Sequence, residues 1–329
     1  MRNYSYLCDP DYSEQTHTAM TKRIIHNCWL LIVCFILSAC EKVVIEEETP
    51  QDEFGNVTLS VSGCEQLADR GRGAEDISKV CSRMHFVIYK DGEKQKAINQ
   101  KAGDASFGQV SLTLDPGDYE VLILGHSCPG KDNPNMKEAT KIQFSNLTDS
   151  GNGTGYSDTF YYYGTLSVDS KSISQSFLLK RAVAMFRFTT TDVKPSNIKK
   201  FRFYYTGGSG ALNATTGLGC VNSKQLVYFG TPDSEDGKPM QFDIFTFLHA
   251  TAGQLTIQIK ALDSNDNAVF ERTFEDVPME RNTITQYSGT FFVNGDDTPE
   301  TPGTPENPES SSNTIQVETE WADTRYFTF

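Results

Sequence analysis

The feature that most narrows the fold is an alternation of apolar and polar residues that recurs in short runs from Phe54 to Val293. Successive side chains of a strand point to opposite faces, so such runs read as half-buried β-strands. Val57, Leu59 and Val61 make the first run, Met84 to Tyr89 the second, and Val110, Leu112 and Leu114 the third. Tyr119 to Gly125, Thr159 to Val168 and Ile173 to Leu179 continue the series. Arg181 to Phe188, Ile198 to Thr206, Met240 to Leu248, Leu255 to Leu262, Val269 to Phe274 and Thr283 to Val293 complete it. Turn residues punctuate the runs, as in Lys90-Asp91-Gly92, Asp115-Pro116-Gly117-Asp118 and Pro195-Ser196-Asn197. Pro fixes φ and Gly accepts positive φ, so the Asp115–Asp118 stretch is expected to be a tight hairpin turn. No stretch shows a helical period with caps, and residues 126–158 read as long loops. Runs about 8–12 residues apart with turn signals between them point to sandwiches rather than βαβ units.

A chain of 329 residues is too long for one ordinary sandwich. The expected fold is all-β, with an N-terminal sandwich over 54–179 and a C-terminal sandwich over 180–293. An aromatic content of 11%, with 14 Tyr and 21 Phe, agrees with sheets. The net charge of −14 comes without any basic cluster, which argues against nucleic acid as a partner.

The first 53 residues follow a different logic. Lys22 and Arg23 precede an apolar run from Cys28 to Leu37, which ends in Leu37-Ser38-Ala39-Cys40. That run is too short to cross a ~30 Å hydrocarbon core comfortably and has the length of a signal-peptide core. The closing residues form a lipobox, so cleavage before Cys40 and lipidation of its thiol are expected. Residues 1–39 then comprise a leader and a signal peptide, with Met20 the expected true start. Residues 40–53 form a lipidated, acidic tether. Of the 8 cysteines, only Cys64, Cys81, Cys128 and Cys220 lie in the body. No C-x-x-C spacing suggests zinc. Four thiols allow three pairings; Cys64 and Cys81 flank one loop and are the favoured pair among possible bridges, while separate half-buried thiols are the expectation overall.

Residues 294–313 are acidic and Pro-rich, the composition of an extended spacer. Beyond them, residues 314–329 read as a strand with Ile315, Val317, Thr319 and Trp321 on one face. A strand on a spacer must pair with a sheet edge, its own or another chain's.

Chemistry-bearing constellations are sparse. His85, His126 and His249 sit in unrelated segments without ligand spacing. Gly125-His126-Ser127-Cys128 only faintly resembles a nucleophile elbow. Asp263 to Asn267 lacks the Gly and terminal Glu of an EF-hand and reads as a turn. Gly151-Asn152-Gly153-Thr154-Gly155 has no flanking strand and helix for a phosphate cradle. The expectation is a protein that is not an enzyme, with no catalytic residue, no metal and no cofactor. Tyr161-Tyr162-Tyr163 and Tyr204-Tyr205 read either as core aromatics or as a platform for sugars.

Several segments together resemble the fimbrillin family, the lipoprotein precursors of type V pili in Gram-negative anaerobes. They are Leu112-Thr113-Leu114-Asp115-Pro116-Gly117-Asp118-Tyr119 with Gly125-His126-Ser127, then Lys180-Arg181-Ala182-Val183-Ala184-Met185. Phe203-Tyr204-Tyr205-Thr206-Gly207-Gly208, Asn213 to Gly217, and Val277-Pro278 with Arg281-Asn282, Thr285 and Gly289 follow in the family's order. The likeness spans about residues 40–329 and is greatest to the anchor or accessory branch. It implies two transthyretin-like, Greek-key sandwiches and a fimbrial role with adhesion, on the cell outer membrane. Partners would be other fimbrial subunits, the membrane through the palmitate-type lipid on Cys40, and host or bacterial surface ligands. The acidic residues after Cys40 likewise resemble a surface-export signal. In the family, proteolysis after an Arg removes the first strand, and a partner's C-terminal strand fills the groove. By resemblance the first strand here is Asn56–Ser62, the cut would follow Arg70 or Arg72, and residues 314–329 would be the donor strand. Anchor-type subunits keep the first strand, so a cut is not required. The competing reading is a surface lipoprotein that binds glycans or host ligands.

Overall fold

The computed structural model describes residues 55–64, 77–128, 134–144, 155–293 and 321–329. Its elements are strands, with short 3₁₀ turns at Ile77–Lys79 and Asp233–Glu235. The first group comprises β1 (Val57–Cys64), β2 (Arg83–Lys90), β3 (Glu93–Lys101), β4 (Gln109–Leu112), β5 (Gly117–His126), β6 (Thr159–Val168) and β7 (Ile173–Arg181). They hydrogen-bond in the order β3-β2-β5-β6-β7-β1-β4. The second group comprises β8 (Ala184–Thr190), β9 (Lys200–Thr206), β10 (Leu212–Asn213), β11 (Leu218–Gly219), β12 (Gln225–Gly230), β13 (Gln241–Thr246), β14 (Ala252–Leu262), β15 (Ala268–Glu280), β16 (Thr283–Gly289) and β17 (Asp323–Thr328). They form two four-stranded sheets, β12-β9-β14-β15 and β13-β8-β16-β17, and the small β10-β11 pair.

Local chemistry accounts for the turns. Asp91 and Gly92 both have positive φ (54° and 77°), the corner that folds β2 tightly onto β3 with Lys90 opposite Glu93. The Asp115–Asp118 turn departs from its expected role. It is not a hairpin, because β4 pairs with β1 while β5 pairs with β2 and β6. Its Pro and Gly instead carry the chain from one edge of the sheet to the middle. At Asp263, the carboxylate accepts from the backbone N–H of Asn265 and Asn267 (2.8 and 2.9 Å) and from the Asn267 amide. Those bonds to Asn267 hold its carboxyl below the usual range. This is the plain turn between β14 and β15.

Three apolar clusters hold the strands. Val57 and Leu59 of β1 pack with Met84, Phe86 and Ile88 of β2 and Val121 and Ile123 of β5. Phe186 and Phe188 of β8 pack with Phe201, Phe203 and Tyr205 of β9 and Ile257 and Ile259 of β14. The third cluster draws on both groups: Val87 and Tyr89 of β2 and Leu122 and Leu124 of β5 meet Leu212, Ala214 and Phe247. The middle strands of the first group are therefore covered on both faces, and Phe54–Phe329 is one compact unit. β7 runs on to Arg181, two residues past the expected boundary at Leu179.

Cys64, Cys81 and Cys128 are buried and Cys220 is exposed, all as free thiols. The bridge favoured between Cys64 and Cys81 is not formed. Burial pushes the Cys64 thiol up to about 12 and raises that of Cys81, which suppresses the thiolate that attacks a disulfide.

Candidate functional site

The last strand supplies the least ordinary geometry of the molecule. β17 lies at the edge of its sheet and runs parallel to β16, with Thr283 opposite Asp323 and Ser288 opposite Thr328. Flanking main-chain bonds extend the pairing at both ends, from Ala322 N to Asn282 O (2.9 Å) and from Phe329 N to Ser288 O (3.1 Å). Phe327 is the buried residue of the strand and stacks on Tyr287 at 4.9 Å. Phe329 stacks on Phe188 at 5.3 Å and meets Phe274 edge-on at 5.0 Å, with the Arg272 guanidinium 4.9 Å from its ring. Arg325 pairs with Glu280 of β15, so β17 also ties the two sheets of its sandwich together. Gly289 permits this approach: a Cβ there would stand 2.0 Å from the Phe329 carbonyl oxygen.

Ahead of β17, Trp321 lies 4.0 Å from the Arg181 guanidinium and 6.2 Å from the Phe245 ring. Arg181 Nε and Nη2 donate to the two carboxylate oxygens of Asp158 (2.8 and 2.9 Å), and Nη1 donates to Asn282 Oδ1 (2.7 Å). Phe160 stands 4.8 Å away. Asn282 sits at φ 61°, a conformation Asn tolerates better than most residues, in the turn from β15 to β16. One buried guanidinium thus joins β6, β7, the β15–β16 turn and the tail.

Of the residues singled out from sequence, Trp321 is placed at this seat. Cys40, Arg70, Arg72, Ile315, Val317 and Thr319 lie outside the described residues. The expected tail strand is found over Asp323–Thr328, beginning after Trp321, and it pairs with its own chain. The expected first strand is β1, held between β7 in parallel and β4 in antiparallel pairing. Sequence reading named Gly289 only as part of the family resemblance and Arg181 only in that resemblance and as a strand start, and it gave neither a place at this seat. A signal for Arg181 exists: Phe177, Leu179 and Arg181 alternate as buried residues along β7, so period two places the charge inside.

The histidines correct another expectation. His85 and His126, far apart in sequence, are neighbours across the β2–β5 pairing, both fully buried, with Nε2···Nε2 2.9 Å. His126 Nδ1 accepts from Cys128 N–H (3.1 Å), and His85 Nδ1 meets Asn99 Oδ1 (2.7 Å). One proton between the Nε2 atoms therefore satisfies both rings, a structural relay with all four nitrogens engaged. Among the described residues no group of three or more His, Cys, Asp or Glu is placed to hold a metal. The tyrosine runs divide between faces: Tyr162 packs on Phe177 at 4.5 Å, Tyr161 joins the shared cluster, and Tyr205 donates to Phe245 O from full burial.

No curated protein matches the sequence. Solved structures similar to it include a candidate adhesin from Bacteroides ovatus (13% identity, 72% of this chain and 87% of that chain, TM-score 0.42). The fimbrial anchor protein Mfa2 from Porphyromonas gingivalis is similar at 11% identity, over 66% of this chain and 81% of that chain, with a TM-score of 0.38. A fimbrial assembly protein from Parabacteroides distasonis is similar at 11% identity, over 67% and 84%, with a TM-score of 0.31. A family model matches residues 48–325, and the chain belongs to that family, a family of unknown function (DUF6562).

Proposed function

We propose that the chain is a non-catalytic structural subunit of a cell-surface fimbria, an anchor or accessory pilin, that joins other subunits by strand exchange. It would be held on the outer membrane by lipid on Cys40, as the lipobox implies. The observation that supports assembly most directly is β17. It is an edge strand, added in parallel to β16, at the far end of a Pro-rich acidic segment. A strand attached in this way is held by main-chain pairing and a few aromatic contacts, and the same contacts are available to an identical strand from another chain. The sequence resemblance to fimbrillins supports the same reading.

Deleting residues 314–329 is the test. The shortened chain is expected to reach the cell surface and to be missing from sheared fimbriae. Incorporation at the level of the full chain would sink the strand-exchange reading. The mature N-terminus, read by intact mass, bears on the tether: an acylated Cys40 is expected, and an unprocessed Met1 would remove the lipoprotein part of the proposal.

A further inference from the structure

Arg181 is 1% exposed. A buried guanidinium persists only where its charge and its N–H groups are met. Among the described residues, Asp158, Asn282 and Phe160, which meet it, belong to the body, and Trp321 belongs to the tail. The body therefore builds a fixed cationic plane, and the tail supplies the indole that lies over it.

We propose that the Arg181–Trp321 clasp is the recognition element of the β16 seat, and that its partner is residues 321–329 of a second copy of this chain. The proposal rests on the assembly reading above and adds what selects the strand. Main-chain pairing with β16 is indifferent to sequence and would accept any extended segment. Along β17 only Phe327 is buried, so the strand itself discriminates little. An aromatic face over a fixed guanidinium is different, because the ring quadrupole attracts the cation and an aliphatic side chain has no such term. Trp321, Phe327 and Phe329 form a spaced set that this chain's own tail carries.

Reach permits the exchange. β16 and β17 run parallel, so the chain must return along the 7 residues of β16, roughly 23 Å at ~3.3 Å each. The segment from Gly289 to Asp323 could extend on the order of 100 Å. It is therefore long enough for the seat of an adjacent copy as well as its own. Because the attached tail competes at an effective concentration of roughly millimolar or below, a second copy takes the seat where copies are crowded, as on a surface.

The test uses the full chain, with Trp321→Ala and Trp321→Phe as variants. Amide exchange across Thr283–Gly289 reads occupancy of the seat, and mixtures of heavy- and light-isotope copies at rising concentration read exchange between molecules. Trp321→Ala is expected to speed exchange across β16 about tenfold, the effect of a desolvated cation–π contact, and to reduce heavy–light pairs. Trp321→Phe, which keeps a ring over the guanidinium, is expected to retain both. Exchange in Trp321→Ala within about twofold of the unaltered chain, or equal loss in Trp321→Phe, would overturn the clasp. If Trp321→Ala opens the seat but heavy–light pairs never form in the unaltered chain, the second copy is overturned as partner, and strand exchange between copies with it, while the clasp within one chain stands.

Discussion

At the scale of single residues, burial decides what the side chains can do. The Cys64 thiol, ordinarily near 9, is pushed up to about 12, chiefly because its anion would be stranded in the core. The unfolded chain loses that proton near 9 and the folded chain keeps it until about 12. Between those values the folded state holds more protons, so stability present below about 9 falls as pH rises. The buried hydroxyls of Tyr156 and Tyr205, also held above their ordinary range by burial, act in the same direction. The urea midpoint is expected to drop from pH 8 to pH 10.5, with Cys64 contributing at most about 1.4 kcal/mol per pH unit. Cys64→Ala should flatten part of the slope; an identical slope in the variant would show that the folded thiol ionises as readily as the unfolded one. Sequence could reveal that Cys64 sits at the end of an alternating run. It could not reveal the partners of Arg181, because Asp158 and Asn282 come from distant parts of the chain and meet it only in the fold.

At the scale of elements, legibility followed the apolar pattern. β6 was readable to the residue because Thr159–Val168 is rich in aromatic and β-branched residues and lies between turn signals on both sides. β3 was not, since Glu93–Lys101 is almost wholly exposed and mostly polar; as an edge strand it needs little apolar surface, and its lysines discourage pairing with other chains. β15 extends to Glu280, past the expected end at Phe274, because the chain bulges at Asp276 (φ 51°) and pairing with β14 resumes at Val277. β17 was legible as a strand but not in its register, which Phe327 and Gly289 settle by packing. Gly289→Ala tests that packing, since a methyl group would enter the space of the Phe329 carbonyl. Its expected result is faster amide exchange at Tyr326–Phe329 with β14 unaffected. Unchanged exchange at the tail would mean that the close approach at Gly289 does not hold β17 in place.

At the scale of the whole molecule, the question is why the two groups of strands behave as one body. Phe86-Val87-Ile88-Tyr89 and Val121-Leu122-Ile123-Leu124, expected to be half-buried alternating strands, are unbroken apolar runs buried on both faces, the appearance of strands covered on both sides. The runs announce a second covered face without naming its cover, which comes from Met136, Ala139 and Ile142 and from Leu212, Ala214 and Phe247. Phe247 is fully buried at the centre, 4.8 Å from the Tyr156 ring and 5.7 Å from that of Phe144. Truncating it leaves a cavity bordered by both groups of strands, at a cost of about 3–5 kcal/mol. If the shared cluster couples the groups, Phe247→Ala should lower protection from amide exchange equally in β5 and β14 and keep one unfolding transition. Loss confined to β14 would show that the first group of strands is stable without the second. The clasp at Arg181 would then link two independent bodies, and seating of the tail would change their relative motion as well as the edge of one sheet.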